Sequence, residues 1–180
     1  RDGLSLMGVS LNGGTPYKVT TDSFHSATYY QSWVYYTSNA DGGSIRSVSS
    51  TGGMPATWAN LDVTDLFWLH VFDDVAYVRN QGNGDLFSIA MGASSAQPFL
   101  IGHKTQYPYA KESDLVWNER DLTTTHVGSL WALTLPSGAP TKVADDVGWV
   151  FATAVDDKAF YVVTERAPNT YSILKIARPQ

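Results

Sequence analysis

The four histidines have the widest chemical capacity in this sequence, because imidazole can ligate a metal ion or carry a proton near neutral pH. His25, His70, His103 and His126 are separated by 45, 33 and 23 residues. Protein zinc sites on helices instead place two histidines within a few residues of each other. The spacing therefore predicts no metal site and no cofactor among these side chains.

Paired aspartates are the next candidates, since calcium takes six to eight oxygen ligands. The pairs are Asp73-Asp74, Asp145-Asp146 and Asp156-Asp157. Two of them occupy the same place in a repeat described below, just before a strand, and the third follows a strand. Turn formation explains all three, so the sequence predicts no bound metal ion.

The six tryptophans could stack against sugar rings, yet most occupy positions that suit packing. Trp117 stands where other repeats have Tyr36 and Val78, and Trp131 stands where they have Arg46 and Phe87. The sequence contains no G-x-S-x-G nucleophile elbow and no phosphate-binding loop. We therefore nominate no catalytic residue.

Composition narrows the class of protein. The 180 residues are 43% hydrophobic, 13% aromatic and 16% charged, with a formal net charge of -5. A disordered chain would be richer in charge and poorer in aromatic residues. The few lysines and arginines are scattered, which makes a nucleic acid partner improbable. The sequence has no cysteine and no apolar run long enough to span a membrane.

An internal repeat positions all of these residues. Five segments share a hydrophobic strand, and four of them continue into a turn and a proline. The intervals between their lead hydrophobic residues are 39, 41, 44 and 43. The lead residues are Leu6, Ile45, Leu86, Leu130 and Ile173.

Each repeat predicts four short strands joined by tight turns. The strand that carries the lead residue is apolar on both faces, which predicts cover on both sides. The prolines, which cannot donate to a ladder, begin the strand at the outer edge. Two strands precede the lead strand, and Asn, Asp and Gly fill the connections. The order is inner, second, third and outer, and no segment shows helical periodicity.

This pattern predicts an all-β chain of β-propeller blades, each of four antiparallel strands, with about four repeats in residues 1–180. The clearest copy is VYYTSNADGGSIRSVSSTGGMP, from Val34 to Pro55. It resembles the blades of YWTD-type and TolB-like bacterial propellers. That resemblance implies a repeat fold that is frequent in exported proteins, and it implies no particular activity.

The strand count bears on ring closure. The chain opens with a third and an outer strand, and its last repeat has inner, second and third strands. We interpret residues 1–180 as one propeller domain that is a segment of a larger ring, or a part-ring completed by another chain, in preference to a closed ring of four blades. The start at Arg1 indicates a processed or excised segment.

Four inner-strand positions form the candidate binding site. Aligning the second strands at Tyr35, Tyr77, Val116 and Phe160 brings four polar or half-polar residues into one register. These residues are Thr28, His70, Tyr109 and Thr153. Inner strands line the channel of a propeller, where converging polar groups suit a ligand.

The leading functional hypothesis is a non-enzymatic binding or scaffold module that is exported to the periplasm, the cell surface or the medium. Its partner is a protein, a small molecule or a carbohydrate, held at a loop face or in the channel. One alternative is a hydrolase or lyase of the six-bladed kind. The other is a carbohydrate-binding propeller.

Overall fold

The computed structural model describes residues 5–10, 12, 14–22, 24–38, 42–61, 63, 65–93, 95–120 and 128–178. His126 lies outside the described residues, so its predicted place in an exposed loop is not tested. The described part contains seventeen strands and no α-helix. The prediction of an all-β chain is confirmed.

The chain divides into two compact units, Arg1–Ile101 and Gly102–Gln180. The first unit contains ten strands. These are β1 (Leu6–Gly8), β2 (Tyr17–Thr20), β3 (Ala27–Tyr30), β4 (Trp33–Ser38), β5 (Ser44–Ser49), β6 (Ala56–Asn60), β7 (Leu66–Phe72), β8 (Val75–Asn80), β9 (Leu86–Ala90) and β10 (Gln97–Leu100). They form a two-stranded sheet, β1-β2, and two four-stranded sheets, β3-β4-β5-β6 and β7-β8-β9-β10.

The second unit contains seven strands. These are β11 (Thr105–Lys111), β12 (Asp114–Arg120), β13 (Gly128–Thr134), β14 (Thr141–Ala144), β15 (Trp149–Val155), β16 (Ala159–Ala167) and β17 (Thr170–Ala177). They form the four-stranded sheet β11-β12-β13-β14 and the three-stranded sheet β15-β16-β17. Every neighbouring pair is antiparallel and sequential, as the repeat predicts.

Turn residues set the strand boundaries. Asp73 and Asp74 adopt φ angles of 49° and 58° between β7 and β8, which is the left-handed geometry of a tight hairpin turn. Gly53, with a φ of 135°, precedes the proline that begins the outer strand β6. The aspartate and glycine clusters therefore act as turns, as the sequence predicts.

Each unit has a core where one face of a sheet packs against the next sheet. In the first unit Ile45 shares a buried cluster with Ala76 and Ile89. In the second unit Leu130 shares a cluster with Phe160 and Val162. The inner strands lie beside one another within each unit, β3 next to β7 and β11 next to β15. This stacking of antiparallel sheets is the arrangement of neighbouring propeller blades.

Candidate functional site

The four predicted binding residues lie in the first strand of their sheets, and all four are half-buried. Thr28 and His70 belong to the first unit, on the neighbouring strands β3 and β7. Tyr109 and Thr153 belong to the second unit, on the neighbouring strands β11 and β15. The structure thus brings two members of the set onto adjacent strands within each unit.

The predicted register holds in three of the four sheets. Thr28 pairs with Tyr35, His70 with Tyr77, and Tyr109 with Val116. In the fourth sheet Phe160 pairs with Val155, and Thr153 pairs with Val162.

The difference in the fourth sheet comes from a longer turn between β15 and β16. There Asp156 Oδ1 accepts hydrogen bonds from the backbone N–H groups of Lys158 and Ala159, at 2.7 and 2.8 Å. These hydrogen bonds, with one from the Tyr161 hydroxyl, lower the pKa of Asp156 below its ordinary value. The aspartate side chain stabilises a wider turn and so moves Thr153 along the ladder.

The surroundings of the four residues differ as well. His70 stacks on Trp68, with 6.1 Å between ring centroids. Tyr109 packs against the buried cluster around Leu130. The buried hydroxyl of Thr153 has no hydrogen-bond partner within the part of the chain that the structure describes.

A cavity of about 340 Å³ lies at the end of the β11–β14 sheet where β11 and β13 begin. Strand register creates it: Glu119 of β12 pairs with Thr105 on one side and with Ser129 on the other, and His103 stands two residues before Thr105. The side chains that matter for its chemistry are His103, Lys104, Glu119, Ser129, Trp131 and Lys142. The volume is within the range of small-ligand sites.

Glu119 is held by two donors at one wall of this cavity. Its Oε1 atom is hydrogen-bonded to Nδ1 of His103, and the indole N–H of Trp117 donates to the same oxygen at 3.2 Å. Trp117 is fully buried, as its repeat position predicts. The histidine ring meets both Trp117 and Trp131 edge-on, at centroid distances of 6.1 and 5.9 Å. These contacts orient the imidazole ring and engage the Oε1 atom of Glu119.

Trp131 forms a second wall. Its ring stacks on Trp117 at 6.4 Å, and the Lys142 Nζ atom lies 5.4 Å from its centroid. The indole N–H of Trp131 is buried and has no acceptor among the described residues. An unsatisfied buried donor costs free energy, so a bound acceptor at this group would stabilise the protein.

Lys142 is oriented by an acidic neighbour. Its amine lies 3.0 Å from Asp145 Oδ1, and the Ser129 hydroxyl donates to the same oxygen at 2.9 Å. Both hydrogen bonds, that of Lys142 first, lower the pKa of Asp145 below its ordinary value. The cavity is therefore lined mainly by donors, while the carboxylates near it already accept hydrogen bonds.

Sequence reasoning did not find this site. His103 and Glu119 are 16 residues apart, and only the pairing of β11 with β12 brings them together. Comparison of the repeats predicts a packing role for Trp131, whose equivalents are Arg46 and Phe87. The signals in the sequence are two departures from the repeat: a tryptophan at position 131, and a histidine at position 103 just before an inner strand.

A cavity of about 410 Å³ at another part of this unit is less suited to a ligand. Asp114 and Arg178 line it and pair with each other through two hydrogen bonds of 2.7 and 2.8 Å.

Within the described residues, no three His, Cys, Asp or Glu side chains are grouped in a way that could hold a metal ion. No helix that could cross a membrane is found in the same part of the chain.

Comparison with known proteins gives a fold and no family. No protein-family model matches the sequence, and no curated protein does. Many solved structures are similar in fold, and three of them are given by name. The computationally designed Ika8 protein is 16% identical, with a TM-score of 0.59 over 93% of this chain and 48% of that chain. The computationally designed Ika4 protein is 16% identical, with a TM-score of 0.58 over 94% of this chain and 97% of that chain. A nidogen/laminin complex contributes a chain that is 12% identical, with a TM-score of 0.65 over 96% of this chain and 74% of that chain.

These likenesses agree with the sheet topology in indicating a β-propeller-like fold. This chain spans about half the length of the Ika8 chain that it matches. At 12–16% identity the comparison concerns fold alone.

Proposed function

We propose that this chain is a non-enzymatic binding module of the β-propeller kind, which holds a carboxylate-bearing partner in the cavity beside His103. The observation that carries the proposal is a cavity lined by Lys104, Lys142 and Trp131, where the Trp131 indole N–H is buried and has no acceptor among the described residues. A carboxylate supplies up to four acceptor sites and a negative charge. It can accept from Trp131 and lie near Lys142 and Lys104.

The state of Glu119 supports an acceptor-rich ligand. Because Glu119 Oε1 already accepts hydrogen bonds from His103 and Trp117, it is committed to positioning the rings. The lysines of the cavity, Lys104 and Lys142, favour a ligand that accepts hydrogen bonds and carries negative charge. The binding-module hypothesis also agrees with the similarity to a chain of the nidogen/laminin complex, a protein that is described in a complex with another protein.

Two sources of the carboxylate are compatible with this chemistry, an acidic side chain of a protein partner or a free organic acid. Export to the periplasm, the cell surface or the medium is part of the proposal. It rests on the resemblance of the repeat to propellers of exported bacterial proteins.

A nuclear magnetic resonance titration tests the site, with the Trp131 indole N–H as the reporter and a Trp131→Phe variant to assign it. The probes are N-acetyl-aspartate, a short peptide with one aspartate, and sodium chloride at matched ionic strength. We expect both carboxylate probes to shift the Trp131 resonance. Tighter binding of the peptide would indicate a protein partner, and equal binding an organic acid.

The matched control uses a second lysine that lies over an aromatic ring. Lys142→Ala should weaken binding of the carboxylate probes, whereas Lys175→Ala should leave it unchanged, because the Lys175 amine lies 5.7 Å from the Tyr161 ring, outside the cavity. An equal shift with sodium chloride, or an unchanged shift in Lys142→Ala, would contradict the proposal. A shift with a neutral disaccharide alone would favour the carbohydrate-binding alternative.

A further inference from the structure

Repeat-equivalent residues differ sharply in exposure at one position. The lead residues Ile45, Leu86 and Leu130 are each fully buried, with 0% of their surface exposed. Ile173 occupies the same position in β17 and is 74% exposed. An isoleucine at a position that is otherwise a core position indicates a surface that another element covers.

The surface around Ile173 is apolar and continuous. Phe151 stacks on Trp149 at 5.2 Å and contacts Tyr171 at 5.8 Å. Both Trp149 and Tyr171 pair with Glu165, so the two rings lie on the face of the β15–β17 sheet that also carries Ile173. We call this the Ile173 face. Phe151 and Tyr171 are 38% and 59% exposed.

A second, different position of the repeat is exposed directly after β1. Val48, Ile89 and Leu133 stand three residues after their lead residues and are 0%, 2% and 6% exposed. Val9, three residues after Leu6, is 58% exposed. Met7 lies two residues before Val9 and is 49% exposed. We call this the Val9 face.

Within each unit the lead position of one sheet packs against the position three residues after the lead residue of the next sheet. Three clusters each contain the lead residue of one sheet. Each also contains, from the next sheet, the residue that stands three positions after that sheet's lead residue, as Val9 does after Leu6. They are Leu6 with Val48, Ile45 with Ile89, and Leu130 with Ile176. The same pair of repeat positions thus forms the sheet-to-sheet contact three times.

We propose that a second copy of this chain covers the Ile173 face with its own Val9 face. The two faces are complementary: the described residues expose one face of each type, and faces of these two types pack together in the clusters of this chain. The contact is head-to-tail, because it joins two different surfaces. Such an interface produces a ring if the rotation closes and an open filament if it does not.

Sedimentation velocity across a wide range of protein concentration tests this proposal. We expect the wild-type chain to assemble and both Ile173→Lys and Val9→Lys to remain monomeric with unchanged thermal midpoints, since both side chains are exposed. Ile101→Lys is the matched control, because Ile101 is 50% exposed and lies on neither face, and it should assemble as wild type does.

Mixing the two monomeric variants distinguishes a head-to-tail contact from a symmetric one. The Val9→Lys chain retains an intact Ile173 face, and the Ile173→Lys chain retains an intact Val9 face. The mixture should therefore form a one-to-one dimer. A monomeric wild-type chain at every concentration would overturn the proposal. Assembly of Val9→Lys by itself would also overturn it, because the Ile173 face would then pair with its own copy.

Discussion

Arg178 pairs with Asp114 through two hydrogen bonds, Nη2 to Oδ1 at 2.7 Å and Nη1 to Oδ2 at 2.8 Å. The pair joins the end of β17 to the start of β12, and 64 residues separate the two side chains in sequence. It therefore links two sheets of the second unit. The Arg178 guanidinium also lies 5.6 Å from the Phe160 ring, which limits its freedom.

A double-mutant cycle on Arg178→Ala and Asp114→Ala should give a coupling free energy of about 1 kcal/mol. The two-point geometry favours a strong pair, and the partial exposure of both side chains, 29% and 23%, reduces its strength. Urea unfolding measures it. The control pair Arg166–Asp146 is 49% and 66% exposed and should give a smaller value, below about 0.5 kcal/mol. Equal coupling in the two cycles would contradict this prediction.

Leu133→Ala should lower the free energy of unfolding by about 2–5 kcal/mol, because it empties a core leucine site. Leu133 is 6% exposed in the third strand of its sheet. Val9→Ala at the equivalent position should change stability by less than about 0.5 kcal/mol in the monomer, since Val9 is exposed. Denaturant midpoints measure both, and similar losses in the two variants would show that burial does not distinguish them.

Tyr36 should make the folded protein less stable at alkaline pH. Burial, followed by its hydrogen bond of 2.5 Å to Asp22 Oδ2, raises the pKa of Tyr36 above its ordinary value to about 12. The unfolded chain then loses this proton at lower pH than the folded protein does. Stability from this group is constant below about pH 10 and falls as the pH rises towards 12.

Spectrophotometric titration of tyrosinate measures the effect. Tyr36→Phe should remove one late-titrating phenol and reduce the alkaline loss of stability. Burial also raises the pKa values of Tyr35 and Tyr77, so those two should titrate late in both proteins. A titration curve of Tyr36→Phe that lacks only a phenol of ordinary pKa would contradict the prediction.

The candidate binding site on the inner strands remains a proposal. Its residues are Thr28, His70, Tyr109 and Thr153. The methyl resonances of Thr28 and Thr153 should shift when N-acetyl-aspartate or maltose is added. His70→Ala combined with Tyr109→Phe should weaken that response, and the retained ring preserves the packing of residue 109 against the Leu130 cluster. Methyl resonances that do not shift with either probe would show that these four residues do not bind ligands of these two classes.

The strands of this protein follow from local sequence. Short apolar segments and the Asp, Asn and Gly turns between them are properties of neighbouring residues, so they reveal strand order without a structure. The strands β7 (Leu66–Phe72), β8 (Val75–Asn80) and β15 (Trp149–Val155) are apolar-rich segments next to turn residues, as the four-strand repeat predicts. The burial of Trp117 follows from comparison of one repeat with the next.

Register and sheet-to-sheet packing were decided by the tertiary structure. The wider Asp156 turn moves Thr153 opposite Val162, and a count of residues that assumes two-residue turns does not include this shift. His103 meets Glu119 because β11 pairs with β12 at Thr105, a contact that no sequence spacing encodes. Likewise Leu130 is buried and Ile173 exposed although the repeat makes them equivalent. The physical reason is that the burial of a strand depends on the sheet that packs against it, which is absent from the strand's own sequence.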